Sequence, residues 1–341
     1  MKLVKAEVLW SRTCPLHCSY CAMADGRRNT PSVHLWCEGF NVLKKFDCRF
    51  AAFYGAEPLE EFEKLPEVIH HVELIGIHTT LITSGISRNV TDKLKVLYES
   101  GLRSITASYD DITSDISSAA KTNKAMEIID LFRSFGPVRD VAVVVTLTRL
   151  NYQNLPSIIE QMTKKGIWTF FDVIHPDRGQ PGSKVRFSEE QEDLFFRRED
   201  WAELAAVLTE AAKMKETHLF HTSRQFIETI KIVAACVENA DVSPFLWKCS
   251  DYNCFPSWIT VDCDGNVYPC DDFQLRSDNA PKIKLWDLRK DWDKTVHYWK
   301  TSVNNSCPGC LWNTHIDAHL IKENKLPITD YIHGIGEKNG R

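Results

Sequence analysis

Residues 6–21 read Ala6-Glu-Val-Leu-Trp10-Ser-Arg-Thr-Cys14-Pro-Leu-His-Cys18-Ser-Tyr-Cys21. The run Ala6–Trp10 suits a strand, and the loop after it carries three thiols within eight residues. A loop at a strand end can curl until its sulfurs converge on one metal cluster. Four cysteines close a [4Fe–4S] centre, so three leave one iron open to a small ligand. Zinc is the alternative, and it wants a fourth ligand at a set spacing. His17 and His34 are within reach in the sequence, but neither completes a finger pattern.

Outward from this loop, short β-rich runs alternate with amphipathic stretches. The expected strands are Ala6–Trp10, Arg49–Tyr54, Thr79–Thr83, Ser104–Ser108, Asp140–Thr148 and Trp168–Ile174. Helical periodicity lies between them, as in Glu60–Ile75, Val90–Ser100 and Asn123–Phe135. Strands separated by helical crossovers form a parallel sheet of βα units. Six units are too few to close an eight-stranded barrel, so the fold class is α/β, a partial (β/α)6 barrel. Ligands then bind at the carboxyl ends of the strands. Beyond a turn-rich loop from His175, Ser188–Lys215 and Ser223–Ala240 read as helices. Trp258–Val261 and Asn266–Tyr268 flank Asp262-Cys-Asp-Gly265, a hairpin with glycine in its turn. Asp287–Lys300 reads as a Trp-rich helix.

The 341 residues suit two domains of ordinary size. A net charge of −5 gives no reason to expect nucleic acid as a partner. The start lacks an apolar signal segment, and no run of 18 apolar residues offers a membrane span, so the expected location is the cytoplasm. Twelve cysteines in a reducing compartment point to metal or redox chemistry rather than disulfides. Nine of them fall in two groups, Cys14, Cys18 and Cys21 near the start and Cys249, Cys254, Cys263, Cys270, Cys307 and Cys310 near the end.

Cys-x₃-Cys-x₂-Cys after the first strand of such a chain resembles the radical S-adenosylmethionine superfamily. Further likenesses follow in order along roughly residues 6–175. Tyr54-Gly55-Ala56-Glu57-Pro58 resembles the family's Gly-Gly-Glu motif, with Ala56 in place of the second glycine. The resemblance assigns Gly55, Ala56 and Glu57 to the methionine moiety of S-adenosylmethionine and Tyr20 to its adenine. It adds Thr83 at the end of strand three, Ser108 and Asp110 at the end of strand four, and Asn151 after strand five. It implies a [4Fe–4S] cluster on Cys14, Cys18 and Cys21, one-electron cleavage of the sulfonium, and a radical that takes hydrogen from a substrate. A reducing partner such as flavodoxin or ferredoxin is implied with it. Read on side-chain type alone, Glu57 is also a helix N-terminal acid, and Ser108 and Asp110 are also helix caps.

The later cysteines resemble the auxiliary-cluster domains called SPASM and, in shortened form, twitch. Asp264-Gly-Asn-Val-Tyr-Pro-Cys270 matches their hairpin phrase, and Cys307-x₂-Cys310 supplies a later pair. No cysteine follows Cys310, so one auxiliary [4Fe–4S] cluster is the implied count. Cys270, Cys307 and Cys310 would bind it, with Cys249 or Cys254 as fourth ligand; a zinc ribbon is the alternative. The implied division is 1–222 core domain, 223–330 small C-terminal β-hairpin/α auxiliary-cluster domain, and 331–341 tail.

The reaction stays open at this level. Dehydrogenation, peptide crosslinking and epimerisation each suit such a pair of clusters, and Cys263 is the candidate hydrogen-atom donor for the last. Only five residues precede the first strand, so no fused leader-binding module is expected. A small polar metabolite, a sugar, aminocyclitol or nucleoside, is therefore the first expectation. A ribosomally made peptide is the alternative, and a zinc-binding protein without catalysis the rival from another class.

Overall fold

The structure, a computed structural model, describes residues 3–18, 20–21, 23–112, 116–174, 193–197, 199–235, 257–269, 282–306 and 320. Six strands follow the chain order: β1 (Lys5–Ser11), β2 (Phe50–Gly55), β3 (His78–Thr83), β4 (Ser104–Ser108), β5 (Asp140–Leu147) and β6 (Trp168–Val173). Each pairs with the next in parallel. Parallel neighbours need a crossover, and helices supply it: α1 (Val33–Lys45), α2 (Leu65–Leu74), α3 (Val90–Glu99), α4 (Ile116–Ser134) and α5 (Leu155–Lys164). Then come α6 (Asp200–Met214) and α7 (Arg224–Ala235). The sheet is open, as a partial barrel requires.

Alternation along the strands decides which face the helices cover. Val141, Val143, Val145 and Leu147 of β5, with Phe171 and Val173 of β6, join the helix-packed core. Their neighbours Val144, Thr146, Phe170 and Asp172 are half-buried on the other face. The helices answer with matching stripes. Leu155, Ile158, Ile159 and Met162 are the buried face of α5, and Trp36, Gly39, Phe40 and Leu43 that of α1. Each such apolar side chain contributes about 1.5–3 kcal/mol on burial.

The strands expected from sequence are present with ends moved by a residue or so. The helix expected over Glu60–Ile75 divides into a 3₁₀ turn, Pro58–Glu61, and α2. The one expected from Asn123 starts at Ile116, because Ile116-Ser-Ser-Ala-Ala is too short of large apolar residues to show a period. The helix expected from Ser188 begins, among the described residues, at Asp200.

The carboxyl-terminal hairpin forms as read, from β7 (Trp258–Val261) and β8 (Asn266–Tyr268). Nothing in its residues marks where it docks. β7 pairs in parallel with β1, Lys5 opposite Trp258 and Val8 opposite Val261. With β9 (Ile283–Lys284), the order becomes β6-β5-β4-β3-β2-β1-β7-β8-β9. One core also runs across the expected boundary at residue 222. It includes Phe226, Ile230, Val261 and, from α8 (Trp292–Ser306), Trp292 and Trp299. Trp292 stacks on Phe46 with ring centroids 4.5 Å apart. The described hairpin therefore extends the main sheet instead of standing on a separate core.

Candidate active site

The loop bearing Cys14, Cys18 and Cys21 leaves β1 and is closed at its root. Arg12 N–H donates to Arg27 O (3.2 Å), and Gly26 N–H donates to Arg12 O (3.0 Å). The Arg12 guanidinium donates to Asp25 Oδ2 at 2.7 Å. Beneath lies an aromatic floor. Trp10 and Trp36 pack with ring centroids 5.2 Å apart, and Asn29 joins them, donating to Trp10 O and accepting from Trp36 Nε1. One residue of the first strand and one of the first helix thus fix where the returning chain passes. The loop itself turns on a Cys21 N–H donated to Cys18 O (3.0 Å). Leu16 N–H donates to Cys14 Sγ at 3.4 Å. Burial pushes the Cys14 thiol up to about 11 against that bond, and the charges of Glu57, Cys21 and Cys18 add to the rise. Cys18 and Cys21 thus lie near the Cys14 sulfur; Cys21 is exposed and Cys14 and Cys18 are half-buried.

At the end of β2 the chain runs against this root. Ala56 N–H donates to Ser11 O (2.9 Å) and Glu57 N–H to Thr13 O (3.0 Å). Gly55 has φ of 152°, and a Cβ there would strike the Ser11 carbonyl, so only glycine fits. Ala56 has no positive φ, and its methyl is accommodated where the family motif has a second glycine. The Glu57 carboxylate is fully buried and accepts four bonds. Oε1 takes Leu59 N–H (3.1 Å) and the Thr83 hydroxyl (2.7 Å), and Oε2 takes Ser84 N–H (2.9 Å) and the Ser84 hydroxyl (2.5 Å). Burial pushes its pKa up against those bonds. Glu57 and Thr83 thus lock the end of β2 to the end of β3, and Glu57 also caps the 3₁₀ turn.

A second network closes the other side. The Tyr20 hydroxyl donates to Asp110 Oδ2, and Lys121 Nζ reaches both that oxygen and the Tyr20 hydroxyl. Lys121, on α4, is nine-tenths buried and Asp110 nearly wholly so. Burial works against the Lys121 charge, but Asp110, Tyr20 and Cys18 outweigh it and hold the ammonium on. Burial, then Asp110, pushes the Tyr20 phenol well above its usual range. Asn151 ties in from behind, its amide donating to Asp110 O and to Thr146 O (2.9 Å) and its Oδ1 accepting from Thr148 N–H (2.7 Å). Ser108 ends β4 half-buried on the open face.

Of the residues singled out from sequence, Tyr20, Asp110 and Asn151 meet in one network, and Gly55, Ala56, Glu57 and Thr83 in another. Lys121 was missed. Its signal, a lysine thirteen residues after Ser108 in a polar helix start, reads in sequence as a solvated charge. Cys263 is fully buried in the hairpin turn, and burial pushes its thiol up to about 12. Cys249, Cys254, Cys270, Cys307 and Cys310 lie outside the described residues. Among the described residues, no three His, Cys, Asp or Glu side chains converge as ligands of one ion do. Three thiols that share a loop without meeting at a point fit the separated corners of a multi-iron cluster, whose iron would deprotonate them. The buried ammonium of Lys121 is taken up by Asp110 and the Tyr20 hydroxyl.

The sequence profile of the radical SAM superfamily matches residues 8–162. Over 140 residues, 40% of this chain, the sequence is 29% identical to PqqA peptide cyclase of Methylocella silvestris; the match spans 35% of that protein. The fold resembles Streptococcus suis SuiB bound to S-adenosylmethionine, with a TM-score of 0.63 at 15% identity, covering 94% of this chain and 74% of SuiB. SuiB bound to precursor peptide SuiA gives the same score at 16% identity, covering 94% and 73%. Native anSMEcpe with bound AdoMet and Cp18Cys peptide gives 0.57 at 18% identity, covering 89% and 84%. No helix among the described residues is long and apolar enough to cross a membrane. Residues 8–162, somewhat under half of the chain, thus match the radical SAM superfamily, and the fold around them is that of SuiB and anSMEcpe.

Proposed function

We propose that this enzyme binds a [4Fe–4S] cluster on Cys14, Cys18 and Cys21, takes S-adenosylmethionine at the open iron, and modifies a peptide. When bound, the cluster supplies one electron that breaks the C5′–S bond, and the 5′-deoxyadenosyl radical so released takes a hydrogen atom from the substrate. The observation that carries this reading is the set of three thiols on one loop at the end of β1, with the buried Tyr20–Asp110–Lys121 group beside it. Tyr20 offers a ring to the cofactor's adenine, and Lys121, paired with Asp110, holds the Tyr20 hydroxyl in place. Gly55 and Ala56 present backbone, and Ser108 and Asp110 present polar side chains, at the same strand ends. Glu57, Thr83 and Asn151 act as positioning residues, since their polar atoms are already engaged within the protein.

A peptide replaces the small polar metabolite of the first expectation. PqqA peptide cyclase is named for a peptide, SuiB is bound to precursor peptide SuiA, and anSMEcpe holds Cp18Cys peptide. The open face agrees with a side chain as guest, because Ser108, Thr146, Phe170 and Asp172 line its carboxyl end. The reading retains one auxiliary [4Fe–4S] cluster on Cys270, Cys307, Cys310 and either Cys249 or Cys254, supported by their spacing. It also retains flavodoxin or ferredoxin as electron source.

The test is anaerobic reconstitution with iron and sulfide, then reduction with dithionite in the presence of S-adenosylmethionine. The expected result is 5′-deoxyadenosine from the native chain and none from a Cys14→Ala, Cys18→Ala, Cys21→Ala variant. A colourless protein holding zinc on those cysteines would overturn the reading. For the substrate class, synthetic peptides encoded beside the gene are incubated with the active enzyme. A peptide mass change supports the peptide reading; turnover of a sugar or nucleoside with no such change would sink it.

A further inference from the structure

Arg12 is the buried cation for which neither network has a use. Its side chain is 3% exposed, and its backbone bonds to Gly26 and Arg27 hold it at the loop root. Nη1 binds Asp25, yet Nε and Nη2 are shut off from water and have no hydrogen-bond partner among the described residues. Guanidinium stays charged in any protein, and a buried donor left without an acceptor is destabilising. Asp25 does not balance the charge fully, since its side chain is 38% exposed and partly screened by water. The buried Cys263 thiol also feels Arg12, but a neutral thiol is no counter-charge. The anion whose ligands lie closest along the chain is the cluster, two residues on at Cys14 and four residues back from Asp25 at Cys21.

We propose that Arg12 is a positioning residue for the redox chemistry, whose buried guanidinium raises the reduction potential of the cluster held by Cys14, Cys18 and Cys21. The proposal rests on the cluster assignment above. Reduction adds one negative charge to an already anionic thiolate-bound group, and an uncompensated cation in a low-dielectric surround favours the more negative state. N–H donors directed at cluster sulfur act in the same direction.

The test is an EPR-monitored redox titration of the reconstituted full-length chain without S-adenosylmethionine, comparing native protein with Arg12→Gln, Arg12→Lys and Asp25→Asn. Arg12→Gln is expected to lower the midpoint potential. Arg12→Lys, which keeps charge but loses donors, should fall between it and the native value. Asp25→Asn is expected to raise the potential, because it breaks the same ion pair while leaving the cation. A loop clamp without electrostatic role would make Arg12→Gln and Asp25→Asn shift alike, and that result, or no shift in Arg12→Gln, overturns the proposal. Should Arg12→Gln not hold iron, opposite shifts in Arg12→Lys and Asp25→Asn support it, and any other pattern overturns it. Failure of the native chain to assemble a cluster, or an unchanged EPR signal in Cys14→Ala, would instead refute the cluster assignment itself.

Discussion

At the scale of single residues, the site depends on two buried carboxylates that are satisfied in different ways. Glu57 is neutralised by hydrogen bonds alone, four donors from Leu59, Thr83 and Ser84. Glu57→Gln would turn an NH₂ group towards donors it cannot accept from, so unfolding in urea should show a loss of about 2–3 kcal/mol. Thr83→Val removes one donor and should lose less, about 1–2 kcal/mol. Asp110 is neutralised by a charge. Lys121→Met would leave it buried without its cation, and the expected cost is about 3–5 kcal/mol. Adding Asp110→Asn to Lys121→Met should recover part of that loss, because the stranded charge is then gone. A double mutant no more stable than Lys121→Met would show that packing, not charge, makes Lys121 matter. None of this was legible from residue type. Glu57 carries a motif and could be singled out, but three of its four donors come from a strand end 26 and 27 residues away. Lys121 has no motif at all, and only the fold brings it to Tyr20, 101 residues before it.

At the scale of elements, local chemistry predicted what local chemistry determines. The six strands of the parallel sheet are β-branched or aromatic runs, and each announced itself. Helix starts were harder, as α4 shows: its first turns are Ser and Ala and expose no apolar period. The hairpin was readable down to its turn. Asp262 accepts from Asp264 N–H (3.0 Å), Asn266 N–H (2.8 Å), the Asn266 amide (2.9 Å) and the Tyr268 hydroxyl (3.2 Å). Its place beside β1 was not readable, since a pairing across some 250 residues leaves no trace in either segment. Gly265 has φ of 77°, and a Cβ there would meet the Trp286 ring at 2.6 Å. Gly265→Val should therefore cost about 1–3 kcal/mol in backbone strain, with further crowding of Trp286. Hydrogen exchange would read the loss locally. Protection should fall across Trp258–Tyr268 and, through the β1–β7 pairing, at Lys5–Val8, while β5 and β6 keep theirs. Unchanged exchange in β1 would mean that the hairpin is not integral to the sheet.

At the scale of the whole molecule, the two ends of the sheet are chemically different. The carboxyl ends hold the thiols and the buried networks, whereas the amino ends carry a charge cluster with no link to the cofactor. There Glu73 accepts from Thr79 N–H and hydroxyl (2.7 Å each) and from Arg139 (3.0 Å). Burial alone would raise Glu73, but His78, Arg139 and Thr79 outweigh it and hold its pKa down to about 2. Asp140 lies next to Arg139, with Oδ1 inaccessible and without a hydrogen-bond partner. Burial pushes it up to about 7, against Arg139 and the Val141 amide. The two carboxylates have opposite linkage. A depressed carboxylate stabilises the fold above its unfolded pKa of about 4, and that contribution is lost as pH falls towards 2. A raised one stabilises below about 4, and the contribution is lost as pH rises through 7. Urea unfolding of the metal-free chain, which keeps cluster loss at low pH out of the measurement, should thus give a stability maximum on the acid side of neutrality. Glu73→Gln should lower stability near neutrality and flatten the acid limb, by an amount on the order of 2 kcal/mol. Asp140→Asn should flatten the decline between pH 4 and 7 and raise stability at pH 7.5 by about 1–2 kcal/mol. A native profile that keeps rising from pH 5 to 8, unchanged by Asp140→Asn, would show that the Asp140 carboxylate is solvated after all. The prediction separates base from site, because neither substitution touches a residue bonded to the cluster loop, and both should leave 5′-deoxyadenosine formation at pH 7.5 within about twofold of native.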